Sequence, residues 1–240
     1  PAGKIGNGSS RFCQGTFAVT YDKELVPAPG GTMLEGLPDM EAVYVEEDIR
    51  EGWEPNTKVV LADLYDGAGK PLALCGRSLL KRTVKQWQEL GYSPKVGLEL
   101  EAYAFQRDAD GKIVPYQTPG AYVYGTGRFV DPQRFTDSIW EKASEVGFRI
   151  DCFTSEYDSP QFEFTLTYDD AVKAVDDIFL FRLMAREIAL DHGIILTFMP
   201  KPILSLGGNG LHVNFSFLDR HGKNAVGESG DVAHMTALAL

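Results

Sequence analysis

Residues 96–105, VGLELEAYAF, set two carboxylates into an otherwise largely apolar run. Side chains of a strand alternate between its faces, so Glu99 and Glu101 share one face and Leu98, Leu100 and Ala102 take the other. Two like charges one pleat apart repel unless something positive stands between them. Solvent with a surface lysine would serve, and so would a metal ion.

A further strand pair and a single strand carry related groups. Glu156 and Glu163 flank an Asp158–Pro160 turn, with Glu163 between Phe162 and Phe164 and opposite in facing to both. His212 and Asn214 share a face of LHVNFSF. If these strands are neighbours, four glutamates and one imidazole converge, and two divalent cations would balance the four charges. Oxygen-rich donors favour Mg²⁺ or Mn²⁺. Taken singly, each glutamate equally describes a wet strand face, and His212 a hydrogen-bonded structural histidine. Just before His212, Gly207, Gly208 and Gly210 bracket Asn209, as an anion-binding backbone nest or as a flexible turn. Lys201, between two prolines in TFMPKP, is a candidate counter-charge for phosphate or a residue of a rigid surface loop.

The acidic balance, 34 Asp and Glu against 23 Lys and Arg in 240 residues, argues against a nucleic-acid binder. No apolar run is long enough for a membrane helix and no signal peptide is visible. Cys13, Cys75 and Cys152 form no CxxC pair or disulfide framework, which favours a reducing compartment. The first residue is not Met, and 234–240 reads as a helix in progress, so both ends are expected to be cut from something longer. The pattern predicts strands near 41–45 and over 58–64, a helix over 78–90 with Leu79, Leu80, Val84 and Trp87 apolar, and a helix over 131–147 capped by Asp131. A long helix follows over 169–191, its broad apolar side including Phe179 and Leu183, then strands at 194–200 and 211–218. The class is α+β, an antiparallel sheet with helices packed on it, divided near Gly76 into residues 1–76 and 77–240.

Four motifs in this order resemble the glutamine synthetase family. GLELEAY resembles its metal-binding ExE strand, SEYDSPQFE its E-x-G-P-G-Q-x-E segment, TFMPKP its pre-loop strand, and GGNGLHVNFS its G-S-G-M-H-x-H-x-S run. The resemblance implies a truncated β-grasp N-terminal domain, then part of a catalytic domain whose arginine-rich segment and flap glutamate lie beyond residue 240. It implies that Glu101, Glu156 and Glu163 hold one metal near an amino-acid substrate, and Glu99 and His212 a second near ATP, with Glu163 close to both. It places Gly208 by its backbone against glutamate, and Tyr168, Lys201, Asn214 and Ser216 near the nucleotide, with Glu163, Gly208 and Asn214 closest to the chemistry. The implied reaction joins the side-chain carboxylate of L-glutamate to ammonia or an amine through γ-glutamyl phosphate, in a cytoplasmic homo-oligomeric double ring. The chain departs from the pattern at Asn214 for a second His, Gly207 for an Asn, DSPQ for GPGQ, and Asn7 for the Asp of a DGSS run. Those departures favour an amine or polyamine ligase, or a member of impaired activity with a structural or regulatory role. A two-metal hydrolase would instead turn over without ATP.

Overall fold

The computed structural model describes residues 6–20, 22–26, 36–120, 122–228 and 231–239. The chain start at 1–5 and the Gly- and Pro-rich stretch at 27–35 lie outside the described residues. The chain divides into two compact units, Pro1–Gln86 and Trp87–Leu240.

In the first unit, β1 (Gly8–Cys13), β2 (Asp39–Tyr44), β3 (Ile49–Glu51), β4 (Lys58–Val60) and β5 (Asp63–Tyr65) form two small antiparallel sheets. One has the order β1-β2-β5 and the other pairs β3 with β4. The single strand expected over 58–64 is therefore two. Val60 pairs with Ile49 while Asp63 pairs with Val43, so the chain must break at Leu61–Ala62 to change sheets. Met40, Leu72 and Cys75 form the local core, with Leu64 and Leu74 against it. Helix α1 (Gly76–Glu89) starts two residues earlier than expected and straddles the division between the units. Ser78 is buried in it while Leu79 is exposed. Leu80, Val84 and Trp87 lie on one stripe, and Leu79 falls off that spacing.

The second unit is built on β6 (Tyr92–Arg107), a 16-residue strand. Around it run β7 (Ile113–Pro115), α2 (Phe135–Val146), β8 (Ile150–Ser155), β9 (Gln161–Asp170), α3 (Ala171–Asp191), β10 (Ile194–Thr197), β11 (Leu211–Asp219), and the hairpin β12 (Gly227–Glu228) and β13 (Asp231–Met235). All pairings are antiparallel. β9 and β7 pair along one edge of β6, and β11 and β10 along the other, with β8 beyond β9. The helix expected over 234–240 is instead the end of β13 and a hydrogen-bonded turn, Ala239 N to Thr236 O.

One face of this sheet is a core. Leu98, Leu100, Ala102 and Ala104 of β6 and Phe162, Phe164 and Leu166 of β9 are all buried there. Rings continue the packing into the helices: Phe162 meets Phe135 of α2 at 5.4 Å and Phe164 meets Phe181 of α3 at 5.4 Å, both edge to face. Helix α2 opens at Phe135, later than the expected 131, because Arg134 takes a left-handed φ of 58°. Asp131 still caps it from outside. Its Oδ2 accepts from Thr136 N and Oγ1, at 2.9 and 2.6 Å, and its Oδ1 from the Tyr116 hydroxyl at 2.8 Å. In α3 the buried stripe is Ala174, Ile178, Phe181, Ala185 and Ile188, whereas Phe179 and Leu183 face outward. Cys13, Cys75 and Cys152 are free. Among the described residues no helix is long and apolar enough to cross a membrane.

The other face of the sheet carries the polar residues, so the aromatic layer determines where they stand. Phe162→Ala should cost about 3–5 kcal/mol in urea unfolding. Tyr168→Ala, at a ring 67% exposed, should stay within about 0.5 kcal/mol.

Candidate metal centre

Register brings the charged residues together. Across β6 and β9, Glu101 stands opposite Glu163; across β6 and β11, Glu99 stands opposite His212. Glu156 follows β8 and is drawn in where its N–H donates to Gln161 O at 2.8 Å. Two groups result, Glu99, Glu163 and His212, and Glu101, Glu156 and Glu163. Within each, the ligand atoms lie within 4.8 Å of one another, and Glu163 belongs to both. His212 Nδ1 is 2.9 Å from Glu99 Oε2 and 3.9 Å from Glu163 Oε2, and its Nε2 is 3.7 Å from Glu101 Oε1.

The electrostatics follow from this crowding. Burial, and then the carboxylates of Glu156, Glu99 and Glu101, push the Glu163 carboxyl above its usual range, with His212 partly offsetting them. The hydrogen bond to Glu99 raises His212, reinforced by Glu101 and Glu163. Both shifts favour the protonated forms, and a proton on either group lessens the repulsion. Four carboxylates and one imidazole are a donor set for two hard divalent cations, which would take the place of those protons. The residues present fit such ions.

Neighbours hold the cluster in shape. Glu101 Oε2 accepts from Gly210 N and Gln161 Nε2, both at 2.9 Å. Asn214 Nδ2 donates to Glu99 Oε1 at 2.7 Å. Two amides of the glycine loop meet carboxylates of the chain itself. Gly210 N takes Glu101, and Gly207 N donates to Asp158 Oδ2. A Cβ on Gly207 would lie 2.7 Å from that same oxygen. Tyr103 donates to Gly207 O at 3.1 Å, and burial with the nearby Asp158 and Glu101 carboxylates pushes its phenol up to about 12.

The remaining candidates fall in two places. Tyr168, Asn214 and Ser216 line a groove of about 460 Å³ with Lys95, Gly97 and Phe215. Lys201 is not among the residues lining that groove; its ammonium donates to Leu206 O within its own loop. Gly208 O accepts from Gln161 at 3.0 Å. Sequence reasoning missed Gln161, Tyr103 and Asp158. Gln161 lies two residues before Glu163 and Tyr103 two after Glu101, so the same alternation could have found both.

At Gly210 the backbone closely approaches the cluster. An added Cβ would stand 2.7 Å from Glu101 Oε1 and 2.8 Å from His212 Nε2. Gly210→Ala should therefore separate these groups, and by NMR titration His212 should move back toward its ordinary 6.5. The raised pKa values also set a pH dependence. A raised group favours folding while protonated and loses that contribution as pH rises through its folded pKa. The ion-free chain should lose stability above 4.5 through Glu163 and above 6.5 through His212. Thermal melts of Glu163→Gln should show the lower part of that slope flattened, and added Mn²⁺ should reverse it in the wild type.

With this geometry in hand, comparison with known proteins is specific. The pattern of the family described as glutamine synthetase, catalytic domain, matches residues 73–240. A glutamine synthetase of Clostridium saccharobutylicum is 32% identical over 190 residues, 78% of this chain and 43% of that protein. A glutamate–isopropylamine ligase of a Pseudomonas species is 29% identical over 177 residues, 71% of this chain and 38% of that protein. A crystal structure of a glutamine synthase homolog superposes with a TM-score of 0.77 at 20% identity, over 95% of this chain and 52% of that one. The chain thus spans less than half the length of either curated relative. With 168 of its 240 residues in the matched catalytic domain, the chain belongs to the glutamine synthetase family.

Proposed function

We propose that this chain carries the metal-holding part of an ATP-dependent ligase that joins the side-chain carboxylate of L-glutamate to ammonia or an amine. The observation that carries this reading is Glu163, shared between two ligand groups and set opposite Glu101 in the ladder. Glu101, Glu156 and Glu163 would hold one divalent ion at the amino-acid end. Glu99, Glu163 and His212 would hold the second at the nucleotide end. Bound there, Mg²⁺ or Mn²⁺ would neutralise phosphoryl oxygens as charge moves in the transfer.

The chain's own residues would do the rest. The groove at Tyr168, Asn214 and Ser216 adjoins the Glu99 side of the cluster through Asn214, and would seat ATP. Lys95, the lysine among the described residues lining it, is paired with Asp170 at 2.7 Å. Among the described residues, Lys95 is thus already engaged, and Lys201 would reach phosphate only by leaving Leu206 O. Gly208, on the Glu101 side, would present its backbone to glutamate. Phosphorylation of the side-chain carboxylate supplies a leaving group that the bare carboxylate lacks, and the amine then displaces phosphate. The glutamate–isopropylamine ligase among the relatives supports an amine as well as ammonia. We extend the reading to a β-grasp-like domain over 1–76, a catalytic domain over 77–240, a double-ring homo-oligomer and a cytoplasmic location, all on family resemblance.

A second reading, a member with impaired catalysis and a regulatory role, draws on one observation. The Asn214 amide is engaged with Glu99, and an amide brings no positive charge to phosphate. ADP release by the protein containing this chain separates the two. Glutamate with ammonia or a small alkylamine should stimulate it, and Glu163→Gln should lower kcat/KM at least about 100-fold. Mn²⁺ binding without glutamate-dependent ADP release would establish the second reading instead.

A further inference from the structure

Gln161 and Asn209 are neutral residues to which the reaction assigns nothing, yet they sit between the carboxylate cluster and the glycine loop. Gln161 is 4% exposed. It shares a face of β9 with Glu163, two residues on. Its Nε2 lies 2.9 Å from Glu101 Oε2, 3.0 Å from Gly208 O and 2.9 Å from Asn209 Oδ1. An amide nitrogen has two hydrogens, so three acceptors compete for them. Asn209 is held on its other side. Its Nδ2 donates to Thr197 O at 3.1 Å and Met199 O at 2.8 Å, and its N–H to Pro200 O at 2.8 Å. Those donors turn Asn209 Oδ1 toward Gln161.

We propose that Gln161 and Asn209 are positioning residues that couple the Glu101 carboxylate to the loop at 207–210. The inference rests on the reading that Glu101 holds a divalent ion. Glu101 faces Glu163 across the ladder, and repulsion between them favours rotating its carboxylate away. Gln161 and Gly210 both donate to Oε2, which fixes the rotation and leaves Oε1 turned toward the cluster, 3.7 Å from His212 Nε2. The same Gln161 amide bonds Gly208 O and Asn209, so a change in how Glu101 is engaged redistributes two hydrogens between cluster and loop. Occupancy of the Glu101 group and the order of the loop that would contact the amino acid are thereby linked. Partners of a metal ligand characteristically act in this way, and their loss weakens metal affinity about 10–100-fold.

The test is Mn²⁺ titration of the full chain followed by electron paramagnetic resonance, with folding checked by thermal melting. Gln161→Met keeps the length of the side chain and removes both hydrogens. It should weaken one of two Mn²⁺ sites by about 10–100-fold and move the other by less than about 3-fold. In a His212→Ala background, where the Glu101 group remains, the same weakening should recur. Asn209→Ala, which releases the loop and with it the Gly210 N–H donor to Glu101, should act in the same direction and serves if Gln161→Met does not fold. Mn²⁺ should also slow hydrogen exchange at 207–210 in the wild type and not in Gln161→Met, a response that a purely structural residue would not alter. Two-site binding left unchanged by both variants, or both sites weakened equally, overturns the coupling alone. A folded wild type that binds no Mn²⁺ overturns the two-ion reading together with it.

Discussion

Glu101 faces Glu163 across one edge of β6, and Glu99 faces His212 across the other. A slip of one residue between β6 and β9 would turn Glu163 toward the helices and bring Phe162 and Phe164 out of the core. The apolar layer beneath therefore sets the register. Phe162 and Phe164, on either side of Glu163, are locked against Phe135 and Phe181, and this leaves Glu163 a single direction in which to point. Phenylalanines of α2 and α3 thereby decide where Glu163 points.

That register forces like charges together, and the surrounding polar groups show how the fold contains the repulsion. Two donors converge on one oxygen of Glu101, an amide meets Glu99, and an imidazole lies among three carboxylates. None of these is a lysine or arginine. A permanent cation would settle the site's charge for good, whereas neutral donors and a titratable ring leave it open to ions that come and go.

Much of this was legible in the sequence because alternation is a local signal. The pairing of Glu99 with Glu101, the facing of Glu163 against its two phenylalanines, and the strand carrying His212 all follow from a period of two. Adjacency of the strands is not local, and only an ordered set of motifs pointed to it. The same limit explains the errors. The break at Leu61–Ala62 depends on partners in two different sheets. The late start of α2 depends on the left-handed turn at Arg134, which no spacing of apolar residues reveals. Gln161 and Asn209 escaped because an uncharged amide is an ordinary residue until its neighbours are known.

The Asp158–Gly207 contact has a bearing on how such a site can change. A side chain at 207 alone would run into Asp158, and removing Asp158 alone would strip the Gly207 amide of its acceptor. Each position is permissive only in the company of the other. The turn before β9 and the loop before β11, some 49 residues apart, are thus tied at one contact, and a change at either position bears on the other.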